Sequence, residues 1–238
     1  MSDYDRNVAA FPGTRAGQAV AADAGLRAHM LRVYNYMAGG VALTGLVAYF
    51  TNLYFGQALY GSPLMYVLIF APLILVFFLS WRIDRLAATT ARALFFVYAA
   101  LLGASLSVIF AVYTESSITR VFFISAAAFG GLSLWGYTTQ RDLTGMGSFL
   151  MMGLIGIIIA SLVNIFLKSS GLDWIISVIG VIVFAGLTAW DTQKIKEMYS
   201  AYDDGTVAGR KAVMGALALY LDFINLFLML LRLFGGRR

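Results

Sequence analysis

The chain has 238 residues, of which 61% are hydrophobic and only 12% charged, with a mean hydropathy of +0.81. A water-soluble domain of this length could not cover so much apolar surface, and the absence of cysteine excludes disulfides, thiolate chemistry and iron–sulfur or zinc-thiolate centres. A net charge of +5 and a pI near 9.5 suit basic loops beside a membrane better than a nucleic-acid surface.

Residues 1–24 are rich in Ala, Gly and Asp and read as a mobile tail, followed by one membrane domain over 25–238 with no internal repeat. No cleavable signal segment is expected, because the first apolar run begins only near Met37. The spacing of Leu26, Met30, Val33 and Met37 predicts a helix lying at the interface ahead of the first span. His29, the single histidine, falls outside the apolar runs.

Seven apolar runs then follow at about 37–55, 63–81, 93–113, 121–138, 149–167, 174–190 and 213–234. Each has the length needed to cross about 30 Å of hydrocarbon as a helix, whereas a β-barrel would show short alternating segments. The fold class is therefore all-α and polytopic. Pro63 opens the second run, where a helix tolerates it; Pro72 lies inside and should kink the helix, freeing the carbonyl of Leu68. That kink reads either as a fixed bend or as a working hinge.

With the N-terminus cytoplasmic, twelve basic residues fall inside: Arg6, Arg15, Arg27, Arg32, Arg82, Arg85, Arg92, Arg141, Lys194, Lys196, Arg210 and Lys211. Five fall outside: Arg120, Lys168, Arg232, Arg237 and Arg238. The imbalance favours N-in and, after seven crossings, C-out. The three arginines near the end pull the other way, and a last run that failed to cross would leave the C-terminus inside.

Along the spans, Ser105, Ser107, Ser133 and Asn164 read as interhelical hydrogen-bonding groups, and Gly103, Gly153, Gly156, Gly180 and Gly186 as points of close helix approach. Glu115 sits in the outer connection after the third run. In the inner turn "TTQRDLTG", Asp142 is expected to cap the next helix.

Two acids stand in the last two runs: Asp191 in "GLTAWDTQK" and Asp222 in "LALYLDFINLFLMLL". A carboxyl at membrane depth must face protein interior or water, and is either a functional ionisable group or a protonated carboxyl that ties helices together. Counted inward from the outer surface at 1.5 Å per residue, Asp191 lies about 25 Å deep and Asp222 about 18 Å. Tilt can close the difference, so contact is permitted but not required. If they meet, two carboxyls a hydrogen bond apart in low dielectric cannot both ionise; they would share a proton and titrate as a unit, a proton-controlled latch between the last two helices. Arg82, in "FLSWRIDRL" at the cytoplasmic end of the second run, is a candidate cation to pair with Asp191, with snorkelling as its ordinary role and Arg85 as substitute. Asn225, one turn after Asp222, is an auxiliary polar group. Two carboxylates are too few for a tight calcium site, which gathers about six to eight oxygens, so they could hold calcium only weakly or transiently.

The stretches "GASLSVIFAVYT", "GYTTQRDLTGMG", "IGIIIASLVNIFLKS", "VFAGLTAWDTQKIK" and "ALYLDFINLFLMLLR" resemble the Bax inhibitor-1 (transmembrane Bax-inhibitor-motif) family, and within it a bacterial member. The resemblance covers about residues 30 to 235. It implies seven helices with the last enclosed by the other six, and a pH-sensitive calcium leak across the inner membrane with Ca2+ as transported ion and no cofactor. It further implies a paired-aspartate pH sensor carried over onto Asp191 and Asp222, with the second-span arginine that locks it mapping onto Arg82. Some members also carry an acid within the second span; here "LIFAPLILVFF" has none. Bacterial members resemble modulators of a membrane-anchored ATP-dependent protease, which gives the alternative of a non-conducting regulator whose tail, residues 2–24, engages the partner. Catalysis is not expected. Intramembrane aspartyl proteases resemble one another in a Gly-x-Gly-Asp stretch, whereas "LTAW" precedes Asp191 and "LYL" precedes Asp222, and no Ser–His or Cys–His arrangement exists.

Overall fold

The computed structural model describes residues 12–238, with side chains from Asp23 onward. Eight α-helices make up the described chain: α1 (Pro12–Leu59), α2 (Pro63–Arg82), α3 (Ala88–Leu106), α4 (Ile109–Val112), α5 (Glu115–Thr138), α6 (Thr144–Leu167), α7 (Ser170–Glu197) and α8 (Gly205–Phe234). A 3-10 turn, Ile83–Arg85, follows α2. Seven segments are long and apolar enough to cross a membrane, with α3 and α4 together making the third, and all seven expected crossings are present. In hydrocarbon no water is available to satisfy backbone groups, so each span forms its hydrogen bonds internally.

The first helix departs from expectation. It starts at Pro12, inside the stretch read as a tail, and the interfacial helix and first span are one unbroken 48-residue element; residues 1–11 lie outside the described residues. Gly39 and Gly40 do not break it. Gly40 instead admits close approach of α3 and α8, since a Cβ there would lie 2.7 Å from the Phe95 ring. The helix ends are conventional. Thr114 caps α5 through Ser117 N, Ser169 caps α7 through Leu172 N, and Asp204 accepts from Thr206 N and Val207 N at the start of α8. The N-cap of α6 is Leu143 rather than the expected Asp142, which sits one residue earlier and accepts from Thr144 N at 2.8 Å; hydrogen bonding from the Thr144 side chain, then its backbone, holds the Asp142 carboxyl below the ordinary 3.8. Pro72 is buried inside α2, which continues through it to Arg82.

Helix α8 is the centre of the bundle. Of its most apolar 18-residue window, 72% is buried, against 11% for α6 and 17% for α2. Its principal neighbours are α1, α3, α5 and α7; α2 packs mainly on α3 and α6 on α7, one layer further out. The expected enclosure by all six helices is therefore partial. Met214, Ala218, Leu221, Asn225 and Leu228, spaced three and four apart, form one stripe of α8 that stays half-exposed. The reason lies in α6: Leu150 nests against Gly186 and Gly153 against Val183, so α6 follows α7 rather than leaning over α8.

Lipid does not drive apolar helices together as water does, so packing and interhelical hydrogen bonds carry the association. Thr44 on α1 donates to the Ala99 carbonyl of α3 at 2.9 Å and bonds the Tyr220 hydroxyl of α8 at 2.6 Å, joining three helices in the buried core. Nearby, a Cβ at Gly103 would lie 2.6 Å from the Thr44 carbonyl oxygen, so α1 and α3 touch backbone to backbone there. A second chain of hydroxyls, Tyr34 to Ser133 at 2.6 Å and Ser133 to Thr192 at 2.9 Å, joins α1, α5 and α7.

The last residues close the opposite end of the bundle. Thr114 N donates to the Gly236 carbonyl, Arg238 N to the Val112 carbonyl and Gly236 N to Ser117 Oγ, each at 3.0 Å. Arg238 pairs with Glu115 at 3.5 Å and Arg232 with Asp173 at 3.6 Å. The 30-residue α8 is long and apolar enough to cross completely, and two of the three late arginines stand beside acids.

Candidate functional site

Asp222 is 4% exposed, on the central helix, in the middle of a run that otherwise buries only apolar groups and Tyr220. Asp191 is half-buried on α7, six residues before that helix ends. The antiparallel packing of α7 on α8 brings the two carboxyls together, side chain to side chain within hydrogen-bonding reach. Depth along the sequence left this contact open; the structure makes it. A carboxylate only accepts hydrogen bonds. With both acids ionised, Asp222 Oδ2 is buried with no donor.

Both acids line a cavity of about 510 Å³ between α6, α7 and α8. Its inner wall is Phe184 and Leu187 of α7 with Ala218, Leu221 and Asn225 of α8, the half-exposed stripe noted above; its outer wall is α6, apolar but for Ser161. No residue of α2 or α3 lines it. Asn225 shares the cavity, but its Nδ2 donates to its own helix, to the Leu221 carbonyl at 2.8 Å, and not to Asp222. Two smaller cavities lie in the seam between α1 and α5, one lined by Thr44, Phe122 and Phe227, the other by Arg27, Tyr34 and Tyr137. Neither holds an acid.

Arg82 is not brought to the pair. It is exposed at the end of α2, its guanidinium 5.5 Å from the Trp81 ring, and it makes no ion pair with another described residue. The helix that carries it packs on α3 rather than on α7, which is why the expected lock to Asp191 does not form here. Arg85 belongs to the following 3-10 turn and is exposed as well. The cation within electrostatic reach of Asp191 is Lys194, one turn further along α7, which also sits over the Trp190 ring at 4.8 Å. Its i, i+3 spacing from Asp191 was the available signal, hidden because a lysine at a helix end ordinarily snorkels.

Two further polar groups stand near this end of the bundle: Gln193, which no sequence pattern singled out, and His29. Gln193 clasps the α5–α6 turn, its Oε1 accepting from Leu143 N and its Nε2 donating to the Arg141 carbonyl, both at 2.9 Å. His29 is buried against the Tyr199 ring, 5.7 Å between centroids, with Nε2 unpartnered. Among the described residues no group of three or more His, Cys, Asp or Glu side chains gathers as a metal site.

The family model described as "Inhibitor of apoptosis-promoting Bax1" matches residues 26–238. An uncharacterised protein of Rickettsia prowazekii is 52% identical over 223 residues, covering 91% of this chain and 92% of its own. A protein of Escherichia coli K12 named Inner membrane protein YbhL is 48% identical over 233 residues, with 96% and 99% covered. A Caulobacter vibrioides protein is 47% identical across the full length of both chains.

Proposed function

This chain belongs to the Bax inhibitor-1 family, and from that premise we propose that it is a pH-sensitive calcium leak of the inner membrane, gated by the proton that Asp191 and Asp222 share. The observation that carries the reading is the meeting of those two carboxyls at a buried point where one oxygen lacks a donor. Gain of a proton satisfies that oxygen and lets α7 and α8 close; loss of it leaves two like charges in low dielectric, which drives the helices apart. On the other side of the pair from Lys194, α8 buries the apolar side chains of Leu226, Phe227, Leu230 and Leu231. On this reading the arrangement corresponds to the shut state of the path. Calcium is the transported ion, and the two carboxyls would meet it in transit only, since a resident calcium site gathers about six to eight oxygens.

By likeness to the Escherichia coli relative and by the excess of basic residues at one end of the bundle, the protein lies in the inner membrane with residue 23 on the cytoplasmic side and residue 238 outside. Purified protein in liposomes loaded with a calcium indicator supplies the test. Influx that varies with pH in the wild type and loses that variation in Asp191→Asn and Asp222→Asn is the expected result; influx absent from the wild type, or equally pH-dependent in both variants, rejects the reading.

A second reading, a non-conducting regulator of a membrane-anchored protease, draws on the same shut apolar core. Its partner-binding segment would be residues 2–24, and deletion of that segment should abolish partner capture while leaving any influx intact.

A further inference from the structure

The cavity that ends at the aspartate pair faces sideways. Its mouth is formed by Ile158, Leu162 and Ile165 of α6, which are 51%, 56% and 64% exposed on the lipid-facing side of the bundle, and by the half-exposed stripe of α8. A hydrated divalent ion has no route through such a wall, because charge in hydrocarbon is expensive without an apolar carrier. An occupant entering here must bring an apolar body. At the far end it meets a buried carboxylate oxygen without a donor, Asp222 Oδ2, beside the carboxyl of Asp191. It also meets Asn225, whose amide nitrogen is engaged by the Leu221 carbonyl and whose Oδ1 is left as an acceptor.

We propose that this cavity is a binding site for a hydrophobic amine that enters from the bilayer between α6 and α8 and places its ammonium on Asp222 and Asp191. The charge matches: an ammonium that takes the place of one proton between the two carboxyls leaves the pair with the same net charge that the proton would. The donors match, since a primary ammonium has three hydrogens for Asp222 Oδ2, an Asp191 oxygen and Asn225 Oδ1. The size matches, for about 510 Å³ falls in the range of small-molecule pockets, about 300–1,000 Å³. Ammonium and proton are alternatives at the same oxygen, so an amine would hold α7 and α8 together where deprotonation would part them. The inference takes the aspartate pair as the functional site and in that respect rests on the reading above.

The experiment uses the full chain in lipid nanodiscs and a photoreactive decyl amine carrying a diazirine on its alkyl chain, with the decyl alcohol of the same design as comparator. Crosslinks are mapped by mass spectrometry. The expected result is labelling of α6 and α8 around Ile158, Leu162 and Leu221, stronger for the amine than the alcohol by about tenfold, the worth of one charge-assisted hydrogen bond. In Asp191→Asn/Asp222→Asn the amine should fall to the alcohol's level. Ile158→Trp, which narrows the mouth and leaves the acids in place, should lower both labels. Equal labelling by amine and alcohol in the wild type, labelling elsewhere on the bundle, or amine labelling that survives loss of both acids overturns the proposal. Because crosslinking reads no ion movement, an amine site without calcium influx would reject the leak alone, and pH-dependent influx without an amine site would reject this inference alone.

Discussion

Asp191 of α7 and Asp222 of α8 meet carboxyl to carboxyl, and Asp222, the more buried of the two, keeps one oxygen that no donor reaches. An amide at position 222 would supply that donor to Asp191 without changing shape. Asp222→Asn should therefore hold or raise thermal stability in detergent at neutral pH, by up to about 1 kcal/mol, whereas Asp222→Ala should lower it by about 1–3 kcal/mol through the gap it leaves. The double variant Asp191→Asn/Asp222→Asn should depart from the sum of its singles by at least about 0.5 kcal/mol. Simple additivity would mean that the two side chains do not interact.

The Thr44–Tyr220 bond predicts an asymmetry. Tyr220→Phe removes one hydroxyl and leaves Thr44 still donating to the Ala99 carbonyl, so the loss should be about 0.6–1 kcal/mol, the worth of one interhelical hydrogen bond in a membrane. Thr44→Val strands a fully buried tyrosine hydroxyl and should lose about 1–3 kcal/mol. Denaturation in mixed micelles measures both, and equal effects would contradict the assigned network.

Glycine positions separate in the same way. Gly103→Ala sets a methyl 2.6 Å from a backbone oxygen of α1 that cannot swing aside, and should destabilise by about 1–3 kcal/mol. Gly156→Ala meets nothing within 4 Å and should be neutral or stabilising, by up to about 1 kcal/mol of helix propensity. Parallel thermal melts of the two variants decide this.

Those glycines show where sequence stops being informative. The crossings were legible because hydrocarbon demands about 20 apolar residues per helix, a constraint written along the chain itself. Asp191 and Asp222 were legible for the converse reason: a charge inside such a run stands out. Gly103 and Gly156 look alike because the partner across the helix, Thr44 in one case and open space in the other, is set by packing that no local pattern records. Which helices cover α8 was hidden likewise. Neither α2 nor α6 differs from α3 or α5 in a way that announces its place in the outer layer, although α6 is the more uniformly apolar, with a hydropathy of 2.5 against 1.5 for α5, as a lipid-facing helix should be. Gln193 is an ordinary polar residue near a helix end until the α5–α6 turn is seen folded onto it.

The end strap offers a prediction at the other side of the bundle. Removal of residues 235–238 deletes the three hydrogen bonds that tie the strap to the α4–α5 connection, and the Arg238–Glu115 pair. At about 0.5–1.5 kcal/mol per hydrogen bond, and little for the exposed ion pair, the α4–α5 connection should open more readily. Hydrogen exchange at Val112–Ser117 should accelerate while α7 and the inner half of α8 stay protected; unchanged exchange would show the strap to be passive.

The last prediction concerns which cation tunes the aspartates. Lys194 lies one turn from Asp191 on the same helix; Arg82 is exposed over Trp81 on a helix that packs elsewhere. A neighbouring cation favours the ionised form of an acid, so removing it moves the titration to higher pH. Lys194→Gln should therefore raise the pH midpoint of the pair, and Arg82→Gln should leave it where it is. The carbonyl band of a protonated carboxyl, followed against pH by infrared difference spectroscopy and assigned by its loss in Asp222→Asn, reads the midpoint directly and needs no ion flux. The reverse outcome, with Arg82→Gln moving the midpoint and Lys194→Gln silent, would mean that α2 swings its arginine onto Asp191 in another conformation, and that the lock implied by family resemblance operates outside the arrangement described here.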